Sequence, residues 1–135
     1  MARNYDVPIE MRFSDLDIYG HVNNVVYFDY LETARVRLFS APFHELTAKG
    51  VFLLVARAEC DYKLPILFDD TVVVSASLSR VGGSSFDISY RIHDGAGKTF
   101  ATARTVMVCY DNRNKTTIPV PGSIRGMAEE QGEAP

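Results

Sequence analysis

Apolar and polar positions change period along the chain, and each change predicts an element. Residues 5 to 13, "YDVPIEMRF", alternate, with Val7, Ile9, Met11 and Phe13 on one face, and predict a short strand. From Asn24 to about Phe39 the period lengthens. Tyr27, Phe28, Leu31, Ala34, Arg35 and Leu38 recur at three- and four-residue steps with no Gly or Pro between them, which predicts a helix. Apolar and aromatic residues take most of its circumference, so the helix is expected to be wrapped by other structure. Pro42 ends it or opens a second short helix, "PFHELTAK", closed by Gly50.

After Gly50 the chain reads as β. "VFLLVARAECDYKLP" passes from an apolar run to alternation, with Ala56, Ala58, Cys60 and Tyr62 against Arg57, Glu59, Asp61 and Lys63. "DTVVVSASLSRV" sets Val72, Val74, Ala76 and Leu78 against serines, and "SFDISYRIH" sets Phe86, Ile88, Tyr90 and Ile92 against Asp87, Ser89, Arg91 and His93. "FATARTVMVCY" is mostly apolar, as a central strand would be. Turn signals at Pro65 to Asp70, Gly82-Gly83 and Gly95-Ala96-Gly97 predict antiparallel hairpins between successive strands. The stretch from about residue 120 to 135 is expected to be a flexible tail. One small sheet can bury the helix only by curling around it, and the curl leaves sheet edges open, which predicts an α+β fold and association of subunits.

A length of 135 residues fits one domain, and 47% hydrophobic with 23% charged residues fits a globular chain. The net charge of −3, without a long Lys/Arg run, argues against a nucleic-acid partner. No apolar run reaches the roughly 20 residues of a membrane helix, and "MARNYDVPIEMRF" has no apolar signal-peptide core, so a cytoplasmic protein is expected. Cys60 and Cys109 fall inside apolar strand patterns at a spacing that fits neither a metal knuckle nor a redox pair, so reduced thiols are expected.

The chemistry gathers at one junction, "FSDLDIYGHVNNVVYFDYLETAR", residues 13 to 35. In an extended segment Asp15 and Asp17 would lie on one side, about 7 Å apart between Cα atoms, close enough to raise each other's pKa. The competing role for either is to bond the backbone within a turn. Gly20 suits a reversal with φ > 0 or a close approach by a ligand. Asn23 suits an N-cap, and Asn24 then falls in the first turn, where free N–H groups can hold a carbonyl oxygen as it becomes an oxyanion. His21 could serve as base, donor or structural group. A metal site is not expected, because ligand-pair spacing is missing around His21, His44 and His93. Ser84 and Ser85 follow a double glycine, where turn chemistry competes with contact to a phosphate or a pantetheine amide.

The pattern D-x-D-x-x-G-H-V-N-N-x-x-Y ahead of a helix, with the strands behind it, resembles the hotdog-fold acyl-CoA thioesterases, in the 4-hydroxybenzoyl-CoA thioesterase branch with its long-chain acyl-CoA members. The resemblance runs from about residue 5 to residue 120. It implies a curled five-stranded antiparallel sheet around a long central helix, and active sites shared in a homodimer or a dimer of dimers. It implies an acyl-CoA substrate and no cofactor. Asp17 matches the catalytic carboxylate and Asn24 the position whose N–H polarises the thioester carbonyl, with His21 holding the loop or bonding substrate. Asp15, Gly20, Asn23, Tyr27, Lys63, Ser84 and Ser85 are then candidate substrate contacts. The Asn23-Asn24 pair replaces an aromatic residue found in some relatives, and the hairpin "RVGGSSF" lacks their basic cluster; Arg80 and Lys63 could substitute for it, against the favoured reading of both as solvated strand-end residues. Two other functions stay open on the same scaffold: a non-hydrolytic acyl-CoA-binding protein, and a hydratase or dehydratase.

Overall fold

The computed structural model describes residues 5–132; residues 1–4 and 133–135, which include the ends of the N-terminal stretch and of the expected tail, lie outside the described residues. Strand β1 (Tyr5–Ile9) buries Val7 but stops earlier than its alternation predicts. A 3-10 turn at Phe13–Asp15 follows, closed by Asp15 N–H on the Arg12 carbonyl at 2.9 Å, and it leaves Phe13 79% exposed.

Helix α1 (Val26–Leu38) has 13 residues, about 20 Å. The expected long central helix is thus a shorter one, broken at Phe39 before a second helix, α2 (Ser40–Ala48). It is also not wrapped all round. Tyr27, Tyr30, Leu31, Ala34 and Leu38 form a buried stripe, while Asp29, Glu32, Thr33, Val36 and Arg37 stay exposed or half-buried on the other side. The apolar residues outside that stripe, Val36 among them, make the circumference look more buried in the sequence than it is. Gly50 closes α2 at φ +78, donating its N–H to the Thr47 carbonyl.

The sheet is built from β2 (Val51–Tyr62), β3 (Val72–Val81), β4 (Ser85–His93) and β5 (Thr99–Asp111), with a two-residue β6 (Thr116–Thr117) against β5. Its order is β1-β3-β4-β5-β2, and every pair is antiparallel. The β3–β4 and β4–β5 connections are hairpins, but the expected β2–β3 hairpin does not form. Strands β1 and β4 take both edges of β3, so β2 crosses to β5 and ends at the open edge of the sheet. Strand β5 lies between β4 and β2, in keeping with its apolar sequence.

The sheet curls over α1. Val72, Val74, Ala76 and Leu78 of β3 and Phe86, Ile88, Tyr90 and Ile92 of β4 are buried in one core with Leu31, Ala34 and Leu38. Phe39 meets Phe86 edge to face at 5.5 Å. The stretch beyond Pro119 also departs from expectation: α3 (Gly122–Gly132) forms, and Val120 and Ile124 are buried in the core. Burial of an isoleucine side chain is worth about 1.5–3 kcal/mol, and Val120, Met127 and Ala128 packed on the same core add to it in offsetting the cost of ordering this segment. Cys60 and Cys109 are free thiols, and burial pushes the Cys109 thiol up to about 11. Among the described residues no helix is long and apolar enough to cross a membrane.

Candidate active site

The loop between β1 and α1 is folded by its own polar groups. Asp17 N–H bonds the His21 carbonyl at 2.8 Å, Gly20 N–H bonds the Asp17 carbonyl at 3.1 Å, and Gly20 turns at φ +77. A Cβ at Gly20 would meet nothing within 4 Å, so this glycine serves the turn and not a close approach. The loop is tied to the 63–71 crossing by a bridge between His21 and Leu67 and by Val22 N–H on the Ile66 carbonyl at 2.8 Å.

A cavity of about 370 Å³ opens beside this loop, lined by Asp17, His21, Asn24, Tyr27, Tyr62 and Lys63 among others. Five of the site residues proposed from sequence therefore share one cleft. The Asp17 carboxylate is half-buried and accepts Tyr19 N–H on Oδ1 at 2.9 Å; no described residue bonds Oδ2. The His21 ring also has no hydrogen bond to a described residue, so its main chain holds the loop and its imidazole does not. Lys63 pairs with no described carboxylate. Burial raises the pKa of the Tyr27 phenol, and the Ile66 main chain opposes this in part.

Asn23 is not the N-cap its position suggests: that place falls to Val25, without a side-chain cap, and Asn23 instead closes the turn before the helix. Its Oδ1 accepts Val25 N–H at 3.0 Å and its carbonyl accepts Val26 N–H at 2.9 Å. Asn24 therefore precedes the regular helix, and no described residue accepts its N–H. Asn24 stands at the positive end of the α1 dipole and lines the cleft that Asp17 also lines. A carboxylate and an unpaired N–H on residues that line one open cleft suit nucleophilic or general-base attack on a carbonyl whose oxygen needs a donor.

The other candidates lie elsewhere. Asp15 is 2% exposed, and its Oδ2 accepts Arg12 N–H at 3.0 Å and the Tyr30 hydroxyl at 2.8 Å. It borders a separate cavity of about 730 Å³ with Arg12, Asp29, Tyr30 and Arg37, so the two aspartates do not share a side as an extended segment would place them. The 3-10 turn rotates Asp15 away from Asp17. Asn23 is committed to the turn ahead of α1, Gly20 to its own reversal, and neither lines the cleft. Ser84 and Ser85 sit at the β3–β4 hairpin, also outside it. Ser85 Oγ accepts from Arg80 at 3.0 Å, and Arg80, still exposed near the end of β3, is paired with the buried Asp87 at 2.9 Å, so it is not an uncommitted phosphate ligand.

Tyr62 was not among the site residues that sequence reasoning named. Its hydroxyl bonds the Asn24 carbonyl at 2.8 Å, and its ring meets Tyr27 edge to face at 4.8 Å. Its side of the β2 alternation marks it as half-apolar, but only the crossing of β2 to the far edge carries it to the start of α1.

Among known proteins, the long-chain acyl-CoA thioesterase FadM of Escherichia coli (strain K12) is 29% identical over 125 residues, covering 90% of this chain and 95% of that protein. The acyl-CoA thioester hydrolase YbgC of Escherichia coli O157:H7 is 22% identical over 120 residues, covering 87% of this chain and 90% of that one. The crystal structure of a thioesterase complexed with coenzyme A and Zn from Thermus thermophilus superposes with a TM-score of 0.82 at 32% identity, covering 96% of this chain and 95% of that one. The model of the thioesterase-like superfamily matches residues 11–127, and the chain belongs to that family.

Proposed function

We propose that the protein hydrolyses an acyl-CoA thioester to the free acid and CoA, in the cleft that Asp17 and Asn24 share. The observation that supports this reading is that the half-buried Asp17 lines the same cavity as Asn24, whose N–H no described residue satisfies. The thioester carbonyl oxygen rests on that N–H, a donor typically worth roughly 3 kcal/mol to the developing oxyanion. Asp17 then follows one of two balanced routes. As nucleophile it attacks the carbonyl carbon, expels CoA as thiolate and forms a mixed anhydride that water cleaves. As base it takes a proton from water, which adds to the carbonyl, and the tetrahedral adduct collapses with loss of the thiolate. Thiolate is a good leaving group, so no further nucleophile needs activation. The His21 ring and Lys63 ammonium, both in the cleft, are placed to meet substrate.

The working unit we propose is a homodimer joined along β2. That strand is a 12-residue open edge with Leu54 and Val55 at 42% and 45% exposure, a surface ready to pair with another strand. Two-fold antiparallel pairing would bring the 51–54 end of one copy beside the Tyr62 end of its partner. The first of those ends, with α2, borders an apolar cavity of about 240 Å³ lined by Phe43, Leu46, Val51, Phe52, Leu53 and Leu54. An alkyl chain leaving one protomer's cleft would then enter the other's apolar groove, which favours a fatty acyl group in the cytoplasm. The likeness to a long-chain acyl-CoA thioesterase supports the same substrate class.

The test is thiol release from acetyl-, decanoyl-, palmitoyl- and benzoyl-CoA by wild type and Asp17→Asn. The variant is expected to lose about 10²–10⁴-fold in kcat. An undiminished variant sinks the proposal. Binding without thiol release would mark an acyl-CoA-binding protein, and hydration of an enoyl-CoA would mark a hydratase.

A further inference from the structure

We propose that Tyr62 is a positioning residue for this reaction: its hydroxyl immobilises the peptide unit next to the oxyanion donor and so aims the Asn24 N–H. The assignment rests on the thioester-hydrolase reading of the cleft.

The argument starts from how rigidly Tyr62 itself is held. It is the last residue of β2, paired with Ala101, and the two residues after it both donate their N–H to the Phe100 carbonyl, at 2.8 and 3.1 Å. The ring is fixed by its edge-to-face contact with Tyr27, which is 3% exposed. From that base the phenol reaches 2.8 Å to the Asn24 carbonyl. The bond runs from the end of an edge strand to the loop that starts a helix, 38 residues earlier in sequence.

Two peptide planes meet at the Asn24 Cα. The plane before it, between Asn23 and Asn24, is held through the Asn23 carbonyl, which accepts Val26 N–H at 2.9 Å. Asn23 is further tied by its own N–H on the Asp15 carbonyl at 2.9 Å. The plane after Asn24 is gripped at both ends, its carbonyl by the Tyr62 hydroxyl and its N–H, from Val25, by Asn23 Oδ1. What remains unpaired among these groups is the Asn24 N–H, the donor the reaction uses. A preorganised donor stabilises a developing charge only if it does not have to turn at the moment of reaction. Without the Tyr62 hydroxyl, the second plane is held from one end, the Asn24 Cα that it shares with the first plane is less firmly fixed, and the Asn24 N–H carried by that first plane is aimed less narrowly. Burial holds the Tyr62 phenol above its ordinary pKa, so it stays protonated and donating at neutral pH.

A purely structural role is separable from this one, because Tyr62 is 45% exposed and water can replace its hydroxyl at the Asn24 carbonyl. Tyr62→Phe keeps the ring contact with Tyr27 and removes only the tether. The experiment measures kcat and KM for Tyr62→Phe and Asp17→Asn beside wild type, on whichever of the four acyl-CoAs wild type turns over fastest, together with the thermal midpoint. The expected result is a loss of about ten-fold in kcat for Tyr62→Phe, with KM within about two-fold and the thermal midpoint within a few degrees of wild type. An unchanged kcat with an inactive Asp17→Asn overturns the positioning role alone. A loss carried by KM overturns it in favour of direct substrate contact. An active Asp17→Asn fails the hydrolase reading itself, whatever Tyr62→Phe does.

Discussion

Asp15 decides how the junction motif divides its labour, and its hydrogen bonds allow the outcome of three substitutions to be ranked. The partly buried Arg12 N–H and the buried Tyr30 hydroxyl converge on Oδ2, while Oδ1 faces only the Arg12 guanidinium at 3.3 Å, on a side chain that is 72% exposed. Tyr30→Phe removes one bond to a buried carboxylate and is expected to cost about 1.5–3 kcal/mol. Asp15→Ala leaves the buried Tyr30 hydroxyl and the partly buried Arg12 N–H without an acceptor, which raises the cost to about 3 kcal/mol. Asp15→Asn is the discriminating variant. Its amide oxygen can occupy the Oδ2 position and accept both donors, so the loss is confined to charge assistance and an exposed ion pair, about 1 kcal/mol. For a chain of this size these values translate to roughly 4 °C per kcal/mol. Thermal unfolding at one fixed protein concentration measures them, with kcat and KM taken on the same samples. Asp15→Asn as damaging as Asp15→Ala, or a harmless Tyr30→Phe, would refute the convergence on one oxygen. A raised KM in Asp15→Asn with unchanged stability would instead return Asp15 to the substrate, where the sequence pattern alone places it.

Two further perturbations test the edge strand and the convex face. Replacing both Leu54 and Val55 by lysine puts charge on the open edge of β2, and sedimentation velocity should show a dimeric wild type and a monomeric variant with reduced thiol release; a monomeric wild type at micromolar concentration would refute β2 pairing. His93 is buried, its Nδ1 accepts Gly95 N–H at 3.0 Å, and its Nε2 lies 2.7 Å from Ser75 Oγ, which donates to Asp6 at 2.6 Å. Burial and then Arg91 lower its pKa below the ordinary 6.5, against weaker opposing effects of Asp6 and Asp94. The unfolded chain therefore takes up a proton that the folded chain refuses, so this contribution is fully present above pH 6.5 and is lost as pH falls through the lowered folded value. Urea unfolding between pH 7 and 5 should show that slope, and His93→Gln should flatten it; an equal slope in the variant assigns the effect to other groups.

Element types were legible where apolar and polar residues alternate strictly. The alternation in β4 marks Phe86, Ile88, Tyr90 and Ile92 as inward, and all four are buried. The stop signal at Gly50 and the opening of a helix near Pro42 were equally local, since backbone conformation and capping depend on near neighbours. What depended on distant partners was not legible. Nothing in "VFLLVARAECDY" says that β2 pairs with β5 and leaves β3 to β1. Nothing in the Gly- and Glu-rich end says that Ile124 finds a place in the core and makes α3 worth forming.

The same distinction explains why the motif is only half transparent. D-x-D read as extended chain points two carboxylates one way, because successive side chains on a strand alternate by about 180°. A 3-10 turn advances by about 120° per residue, and one turn of it at Phe13–Asp15 sends the first carboxylate inward to Tyr30. The second then follows a bridge at Leu16 out to the cleft. That turn is closed partly by Asp15 itself, through Oδ2 on Arg12 N–H. One aspartate thus makes the geometry that frees the other, and its carbonyl also holds Asn23, whose side chain closes the turn ahead of α1 beside the Asn24 N–H that no described residue accepts. The two acids belong to one device because the first positions the second, not because they share a proton.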